Sequence, residues 1–257
     1  GEATKISNYI LNGDKAYIAT VKLGVSTDTW DITGKILEEN LSLPPKEFIR
    51  DFAQQLEGEL DLKVPSYSAI KKDGKKLYEY AREGKEIEEI RRPMNFKKVE
   101  ILEQSEDELK VFLHCSKGSY IRSWAQTLGE KLEVGACLSG LERVLSAPYK
   151  LENAQSLEDV LSDIQAGKDL SCMVPISECL SHWPSIFVDG LEAKLLKNGT
   201  VTHSLQNRLR FVDYIKSKDN SLSYEGVKVY SGHSRKLLST LVRKTPKSYK
   251  IAKVFNL

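Results

Sequence analysis

An arginine that follows a glycine-interrupted strand is the residue of this sequence whose position most suggests chemistry. Alternating apolar residues over 109–115 predict a strand, Gly118 ends it, and a helical pattern follows. Arg122 falls in the first turn of that helix, where a cation opposes the helix dipole at a cost of roughly 0.3–1 kcal/mol. This position suggests an anionic partner, either a buried carboxylate or a phosphate, and the alternative is a solvated surface arginine.

The cysteines and histidines do not form a metal-binding pattern. No two of the four cysteines are spaced as Cys-x-x-Cys, and the histidines other than His114 are scattered along the chain. His114 and Cys115 are adjacent on a predicted strand, so their side chains point to opposite faces. The sequence therefore predicts no metal, and it favours free thiols in a reducing compartment.

Apolar segments that could cross a bilayer are not apparent, because the longest apolar runs are far too short. The chain also does not open with the charged segment and apolar run of a secretory signal. We therefore expect a cytoplasmic protein with no membrane partner. Its 257 residues, 40% of them apolar, suffice for one large domain or two smaller ones.

Charge is distributed unevenly along the chain, although the formal net charge is only +2. Residues 194–257 contain 14 Lys and Arg against 3 Asp and Glu, a net charge of +11, which leaves −9 for residues 1–193. Such a basic end favours binding to a polyanion. A basic surface without a partner is the alternative, and membrane headgroups are a weaker one because the segment shows no amphipathic helical pattern.

Periodicity and glycine or proline punctuation predict the secondary structure. The elements predicted in the first 174 residues are a strand over 17–23, a helix between Pro44-Pro45 and Gly58 with Phe48, Phe52 and Leu56 on one face, a short helix within 74–82, neighbouring strands over 99–102 and 109–115, and a helix from Ser156 to Ala166. From Pro175 onward we predict a helix over 191–197 and strands over 209–215, 226–230, 237–243 and 249–255, as in a small β-barrel or a compact mixed sheet.

Four motifs together carry a resemblance to a known family. They are Asp-Lys-x-Tyr at 14–17, Thr-Asp-Thr-x-Asp-x-x-Gly at 27–34, Lys-Lys-Leu-Tyr-Glu-Tyr-Ala-Arg at 75–82 and Cys-Ser-Lys-Gly-Ser-Tyr-Ile-Arg at 115–122. In order, spacing and identity, over about residues 1–145, they resemble the bacterial tRNA pseudouridine-55 synthases, the TruB family. The basic end, with Lys-Val-Phe at 253–255, resembles the PUA-type RNA-binding domain of that family.

This resemblance implies an α+β fold. A mixed, mainly antiparallel central sheet with flanking helices, the pseudouridine synthase fold, would be incomplete at its N-terminus and followed by a small β-rich, PUA-like domain. The implied domains are 1–174, with an RNA-contacting insertion at about 62–98, and 175–257. The implied reaction isomerises uridine-55 of the tRNA T loop: the base is flipped out, detached from ribose through N1 and rejoined through C5, without a cofactor. The implied partner is the T-arm stem-loop of tRNA, and we expect a monomer.

Site residues follow from the resemblance position by position. Tyr17 would pack its ring on the flipped base and help proton transfer at C5, and Arg122 would orient the catalytic carboxylate by an ion pair. Tyr120 would lie against the nucleotide, Leu141 would wall the pocket and Lys117 would contact a phosphate. Taken singly, Tyr120 and Leu141 are more often core residues, and Lys117 is equally compatible with a solvated lysine. The residues predicted to contact RNA elsewhere are Tyr67, Lys71, Lys72, Lys75, Lys76, Arg82, Lys244, Lys247 and Lys250.

The catalytic aspartate of the family is not matched by any residue here. In the family it lies in a Gly-Thr-Leu-Asp-Pro-like motif upstream of the residues that match 1–5, and these 257 residues contain no Leu-Asp-Pro. Asp28 and Asp31 match other family positions, and a turn role is favoured for Asp31. We expect the chain by itself to be inactive, as a fragment of a complete enzyme, as a tRNA-binding pseudoenzyme or chaperone, or with the aspartate supplied by another polypeptide.

Overall fold

The structure is a computed structural model that describes residues 1–85, 88–170, 172–218, 224–245 and 248–256. The chain forms two compact units. The larger unit is Asn12–Ala154, and the smaller one combines Gly1–Leu11 with Gln155–Leu257. The domain division predicted at residues 174 and 175, and the PUA identity of the second domain, stay predictions.

Helices occur in both units. They are α1 Ser7–Leu11, α2 Lys46–Gln54, α3 Leu77–Arg82, α4 Ile121–Lys131, α5 Leu157–Gln165, α6 Ile176–Cys179, α7 Gly190–Lys197 and α8 His203–Lys218, with 3-10 helices at Glu2–Ile6 and Leu151–Asn153. Within the described residues, no helix combines the length and the apolar character needed to span a membrane.

Strands make up the rest of the regular structure. They are β1 Lys15–Leu23, β2 Val25–Thr27, β3 Ile36–Glu39, β4 Gly58–Lys63, β5 Lys71–Lys72, β6 Lys75–Lys76, β7 Arg91–Gln104, β8 Glu108–Cys115, β9 Ala136–Ser146, β10 Tyr149–Lys150, β11 Ser185–Val188, β12 Gly226–Ser231, β13 Leu237–Thr245 and β14 Ser248–Val254.

A six-stranded sheet organises the larger unit, in the order β10-β9-β1-β8-β7-β4. Every neighbouring pair in it is antiparallel. The alternation along β8 places Leu109, Val111, Leu113 and Cys115 in the core, as the period of two requires. The α+β fold class and the antiparallel character of the central sheet are therefore confirmed, as is the pairing of the strands predicted over 99–102 and 109–115.

One face of this sheet is covered by α4 and α2. Trp124 and Leu128 of α4 are fully buried against it, and the Trp124 indole donates a hydrogen bond of 3.3 Å to the carbonyl of Leu56. The helix predicted between Pro45 and Gly58 is present as α2, but Phe48 does not face the core: it is 58% exposed. Of the predicted face, Leu56 is fully buried and Phe52 packs against the core, and Ile49 and Ala53 complete the buried side in place of Phe48.

In the smaller unit a four-stranded sheet has the order β11-β12-β13-β14. β11 and β12 are parallel and the other pairs are antiparallel, so the compact mixed sheet, of the two alternatives, is the one observed. Helices α7 and α8 supply Leu196, Leu205 and Leu209 to its core. On another part of the sheet, Ile6 packs with Trp183 and Phe255, which joins the N-terminal segment to this unit.

The strand predicted over 209–215 was wrong, because these residues lie within α8. Leu205 and Leu209 are buried and Val212 is half-buried, a helical spacing, whereas the outward Phe211 and Tyr214 imitated the composition of a strand. We expected no amphipathic helical pattern in the basic end, and this was wrong, because α8 buries Leu205 and Leu209 on one side.

Candidate active site

Tyr17 lies on β1, on the sheet face that α4 covers. It pairs across the sheet with Leu113 of β8 and Arg143 of β9, and its half-buried ring packs against the core. Burial, together with the nearby Cys115, raises the pKa of the Tyr17 hydroxyl, and Arg143 opposes part of that shift. The hydroxyl therefore remains protonated at neutral pH and can donate a hydrogen bond or a proton.

Leu141 is brought to the same face by the pairing of β1 with β9. Leu141 lies opposite Ala19, and Arg143 lies opposite Tyr17. Within each strand the two residues are two positions apart. Residues two apart on a strand share a face, so the side chains at 17, 141 and 143 are neighbours. Leu141 is 50% exposed, which leaves an accessible apolar surface beside the tyrosine ring.

Arg122 begins the first turn of α4 and is half-buried. Its Nη2 donates to the carbonyl of Tyr67 at 2.9 Å and its Nη1 to the carbonyl of Thr29 at 3.3 Å. Among the described residues it has no carboxylate partner within ion-pair distance. A guanidinium has five N–H donors, so these two bonds leave donors for an anion. The predicted ion pair with a catalytic carboxylate stays a prediction.

The loop over 27–34 is closed on itself and attached to β9. Asp31 accepts hydrogen bonds from the amide and the hydroxyl of Thr33 at 3.0 and 2.6 Å, and Asp28 accepts from the amide of Lys35 at 2.8 Å. A Cβ on Gly34 would lie 2.2 Å from the Thr29 hydroxyl and 2.6 Å from a carboxylate oxygen of Asp28, so a larger residue would displace these side chains from the turn. Both aspartates are thus engaged in the turn, which agrees with the structural role favoured for Asp31.

Tyr120 and Lys117 flank the start of α4. Tyr120 is the N-terminal flanking residue of the helix; its half-buried ring packs against the core and its amide donates to the Met94 sulfur at 3.3 Å. Lys117 is exposed and donates to the Asn12 side chain at 2.7 Å. Gly118 has a φ of +82°, which explains a glycine at this turn.

The segment predicted to contact RNA forms a small hairpin, β5–β6, followed by α3. Lys71 pairs with Lys76 and Lys72 with Lys75 across the hairpin. The ammonium of Lys75 lies 4.9 Å from the centre of the Tyr80 ring, while Lys76 and Arg82 each lie 5.3 Å from that of Tyr78. Lys72 and Lys75 also form ion pairs with Glu88 and Glu83. Tyr67 is half-buried next to this segment in sequence, with its carbonyl bound to Arg122.

The remaining predicted RNA contacts lie in the smaller unit. Lys244 of β13 and Lys250 of β14 are exposed. Lys247 lies outside the described residues.

The described part of the larger unit has cavities away from Tyr17. One, of about 600 Å³, is bordered by Glu38, Glu39, Glu130 and Glu133, and another, of about 280 Å³, by Trp30, Val64 and Leu77 among others. Neither lining includes Tyr17, Tyr120 or Leu141. The described residues also contain no group of three or more His, Cys, Asp or Glu that could hold a metal ion.

Arg143 is the site residue that sequence reasoning missed. It pairs with Tyr17 across the sheet, and its positive charge lowers the pKa of the Tyr17 hydroxyl against the larger effect of burial. The sequence carried no clear signal for it, because β9 does not alternate: its first three residues are buried and residues 141–143 are all exposed.

Solved structures share the fold of this chain. A Cbf5-Nop10-Gar1 complex aligns with a TM-score of 0.65 at 18% identity, covering 99% of this chain and 69% of that one. An H/ACA RNP bound to a substrate RNA containing 2'-deoxyuridine aligns with a TM-score of 0.64 at 16% identity, covering 100% and 70%. At these identities the likeness concerns the fold, which is the pseudouridine synthase fold.

Sequence relatives identify the family. Residues 1–121 match the family described as TruB family pseudouridylate synthase, N-terminal domain. The tRNA pseudouridine synthase B of Bdellovibrio bacteriovorus is 42% identical over 212 residues, 81% of this chain and 68% of that protein. The protein of that name from Aromatoleum aromaticum is 39% identical over 201 residues, 78% and 65%. The chain therefore belongs to the TruB family, and it spans about two thirds of the length of these relatives.

Proposed function

We propose that this chain binds tRNA and holds uridine-55 of the T loop for its isomerisation to pseudouridine. The observation that carries the proposal is the position of Tyr17 beside an accessible apolar residue, Leu141, on one sheet face of a TruB family member. A base flipped out of the RNA loses a few kcal/mol of stacking, and contact with an aromatic ring and an apolar wall offsets that loss.

Tyr17 has a second role in the proposal. Its raised pKa keeps the hydroxyl neutral at the pH at which the reaction runs, so it can take up the proton that leaves C5 only as it passes its own proton to the base nitrogen N1, which gains a proton in the reaction, or to water. Replacement by phenylalanine would keep the ring and remove this relay. The two roles are therefore separable by substitution.

Arg122 supplies a fixed guanidinium. Two backbone carbonyls accept hydrogen bonds from it and fix its orientation. Its remaining N–H groups are available to a carboxylate that binds beside it. The 257 residues contain no Leu-Asp-Pro motif. Asp28 and Asp31 accept hydrogen bonds within a turn. We propose that the reacting carboxylate comes from outside these 257 residues, so that the chain by itself binds tRNA without isomerising it.

A catalytically inactive tRNA-binding or chaperone function is the second candidate, since Asp28 and Asp31, the aspartates within the matched motif at 27–34, are both held by hydrogen bonds in a turn. Both candidates are compatible with a cytoplasmic monomer that needs no cofactor. They differ in one result, which is whether the polypeptide encoded by the whole gene isomerises uridine.

The test is release of tritium from C5-labelled uridine in a T-arm stem-loop. We expect release with the polypeptide that the whole gene encodes and none with the 257 residues alone. In the whole polypeptide, Tyr17→Phe lowers kcat by at least about a hundredfold with little change in stem-loop affinity. No release from the whole polypeptide, with binding intact, supports the chaperone function. Absence of binding contradicts both.

A further inference from the structure

Helix α8 of the smaller unit has an outer face that its own fold does not use. Its inner side, Leu205, Leu209 and Val212, packs into the core. On the opposite side Phe211, Tyr214 and Ile215 are 63%, 58% and 45% exposed. Residues three and four apart share one side of a helix, so 211, 214, 215 and 218 form a single stripe, called here the α8 outer face.

The rings of this face are arranged as a flat surface. The Phe211 and Tyr214 planes lie within 25° of parallel, with centres 6.4 Å apart. The Lys218 ammonium is 5.6 Å from the centre of the Tyr214 ring. Beside Phe211, a shallow cavity of about 460 Å³ is bordered by Ile186, Asn207 and Arg208. Aromatic planes with a cation at their edge are the usual contact for unstacked bases and their phosphates.

Charge near the α8 outer face is positive. Two acids on or near α8 within the described residues are paired with arginines: Glu192 forms an ion pair with Arg208, and Asp213 forms one with Arg243. Lys218 and Arg210 are exposed, and residues 194–257 have a net charge of +11. This balance fits a polyanionic partner.

We propose that the α8 outer face is a stacking surface for unpaired nucleotides of RNA, distinct from the base-positioning site around Tyr17. The inference rests on the proposed function, since it assumes that the chain acts on tRNA, and it adds a surface and the kind of nucleotide that binds there. Phe211 and Tyr214 stack on successive bases, and Lys218 contacts the phosphate between them.

A membrane surface is the competing partner for a basic helix with apolar residues, and the packing of α8 argues against it. Helices that lie in a bilayer insert their continuous apolar face. Here that face, formed by residues 205, 209 and 212, is already packed in the protein core. The three outward apolar side chains are too few for stable insertion and are suited to contact with bases.

The experiment measures binding of the whole chain to a fluorescent twelve-nucleotide oligouridine and to a tRNA transcript. We expect Phe211→Ala/Tyr214→Ala to raise the Kd for the oligouridine by about 10- to 100-fold. The slope of log Kd against log salt should stay unchanged, because no charge is removed. Tyr214→Trp keeps a ring and should retain the affinity. Phe48→Ala removes a matched exposed phenylalanine, 58% exposed, from the larger unit and should have no effect.

The outcomes separate this inference from the proposed function. If the native chain binds both RNAs and the double substitution changes neither Kd more than twofold, the stacking surface is excluded and the proposed function stands. If the native chain binds neither RNA, both are excluded. If the native chain binds vesicles rich in phosphatidylserine, and the double substitution abolishes that binding but leaves the RNA affinity unchanged, the face binds a membrane instead. Should the double variant be poorly folded by circular dichroism, Tyr214→Ser alone serves, with an expected fivefold loss of about 1 kcal/mol.

Discussion

At the residue scale, the guanidinium of Arg122 connects segments that are far apart in sequence. The two carbonyls that it binds belong to Thr29 and Tyr67, so one side chain holds the 27–34 loop and the segment that precedes the β5–β6 hairpin against the start of α4. The unfavourable position of a cation at a helix N-terminus is offset by these bonds. The residue is therefore structural as well as the candidate partner of a carboxylate.

Replacing Arg122 should destabilise the fold in proportion to the bonds lost. Arg122→Ala leaves two carbonyls without their donors, and we expect the free energy of unfolding to fall by about 1.5–3 kcal/mol. Arg122→Lys can reach one carbonyl and should give an intermediate loss. Urea unfolding measures both. Lys117→Ala, at an exposed lysine, is the control and should change it by less than about 0.5 kcal/mol. Equal stability of Arg122→Ala and the control would show that the bonds contribute nothing.

Thiol reactivity is the second prediction at this scale. Burial raises the pKa of the Cys115 and Cys137 thiols to about 11, and Cys179 is also buried, whereas Cys172 is exposed. Only the thiolate reacts with an aromatic disulfide reagent. At pH 8 the native chain should therefore show one fast thiol, and all four should react in urea. Cys172→Ser should remove the fast phase; two or more fast thiols in the native chain would contradict the burial.

At the element scale, the close approach of α4 to the sheet depends on one glycine. A Cβ on Gly129 would lie 2.2 Å from the Ala136 amide nitrogen and 2.4 Å from the Gly135 carbonyl carbon, both of which are backbone atoms. Backbone at the start of β9 cannot yield as a flexible side chain would. The glycine thus fixes how closely the helix that begins with Arg122 packs on the strand that bears Leu141.

Gly129→Ala should therefore destabilise the chain, although alanine is the better helix former by about 1 kcal/mol. The overlap forces α4 away from β9, and we expect a net loss of about 1–3 kcal/mol in the free energy of unfolding. Thermal and urea unfolding measure it. Thr127→Ala on the same helix, where the propensity gain acts without a clash, should be neutral or slightly stabilising. A Gly129→Ala variant more stable than the parent would disprove the close contact.

Strands and helices whose apolar residues repeat with one clear period were predictable from the sequence. The elements that were predicted wrongly lack such a repeat. The odd-numbered residues of β8 alternate into the core, so that strand and its pairing followed from the pattern. In α8 the exposed Phe211 lies between the buried Leu209 and the half-buried Val212, and the exposed Tyr214 follows them. These aromatic and β-branched residues favoured a strand over the helical period. The partners of Arg122 are backbone carbonyls, and such an acceptor has no signature in side-chain sequence.

At the scale of the whole molecule, cations differ in how far they are already neutralised. In the β5–β6 hairpin, Lys72 and Lys75 are paired with Glu88 and Glu83. In the smaller unit, Lys244 and Lys250 are exposed, and neither forms an ion pair within the described residues. A cation must lose its carboxylate before it gains a phosphate, so the unpaired lysines should contribute more to RNA affinity than the paired ones.

The salt dependence of tRNA binding tests this difference. Each phosphate neutralised by a cation contributes about 0.7–0.9 to the slope of log K against log salt. If Lys244 and Lys250 both contact phosphates, Lys244→Ala/Lys250→Ala should lower the magnitude of the slope by about 1.4–1.8. Lys72→Ala/Lys75→Ala removes two positive charges as well, but both lysines have carboxylate partners in the free protein. This variant should therefore lower the magnitude of the slope by less than the Lys244/Lys250 variant does. Fluorescence titration of a tRNA transcript between 50 and 300 mM salt, roughly the range in which such slopes are linear, gives both values. Equal slopes for the parent and for the Lys244/Lys250 variant would place the smaller unit's basic end away from the RNA backbone, whatever its net charge.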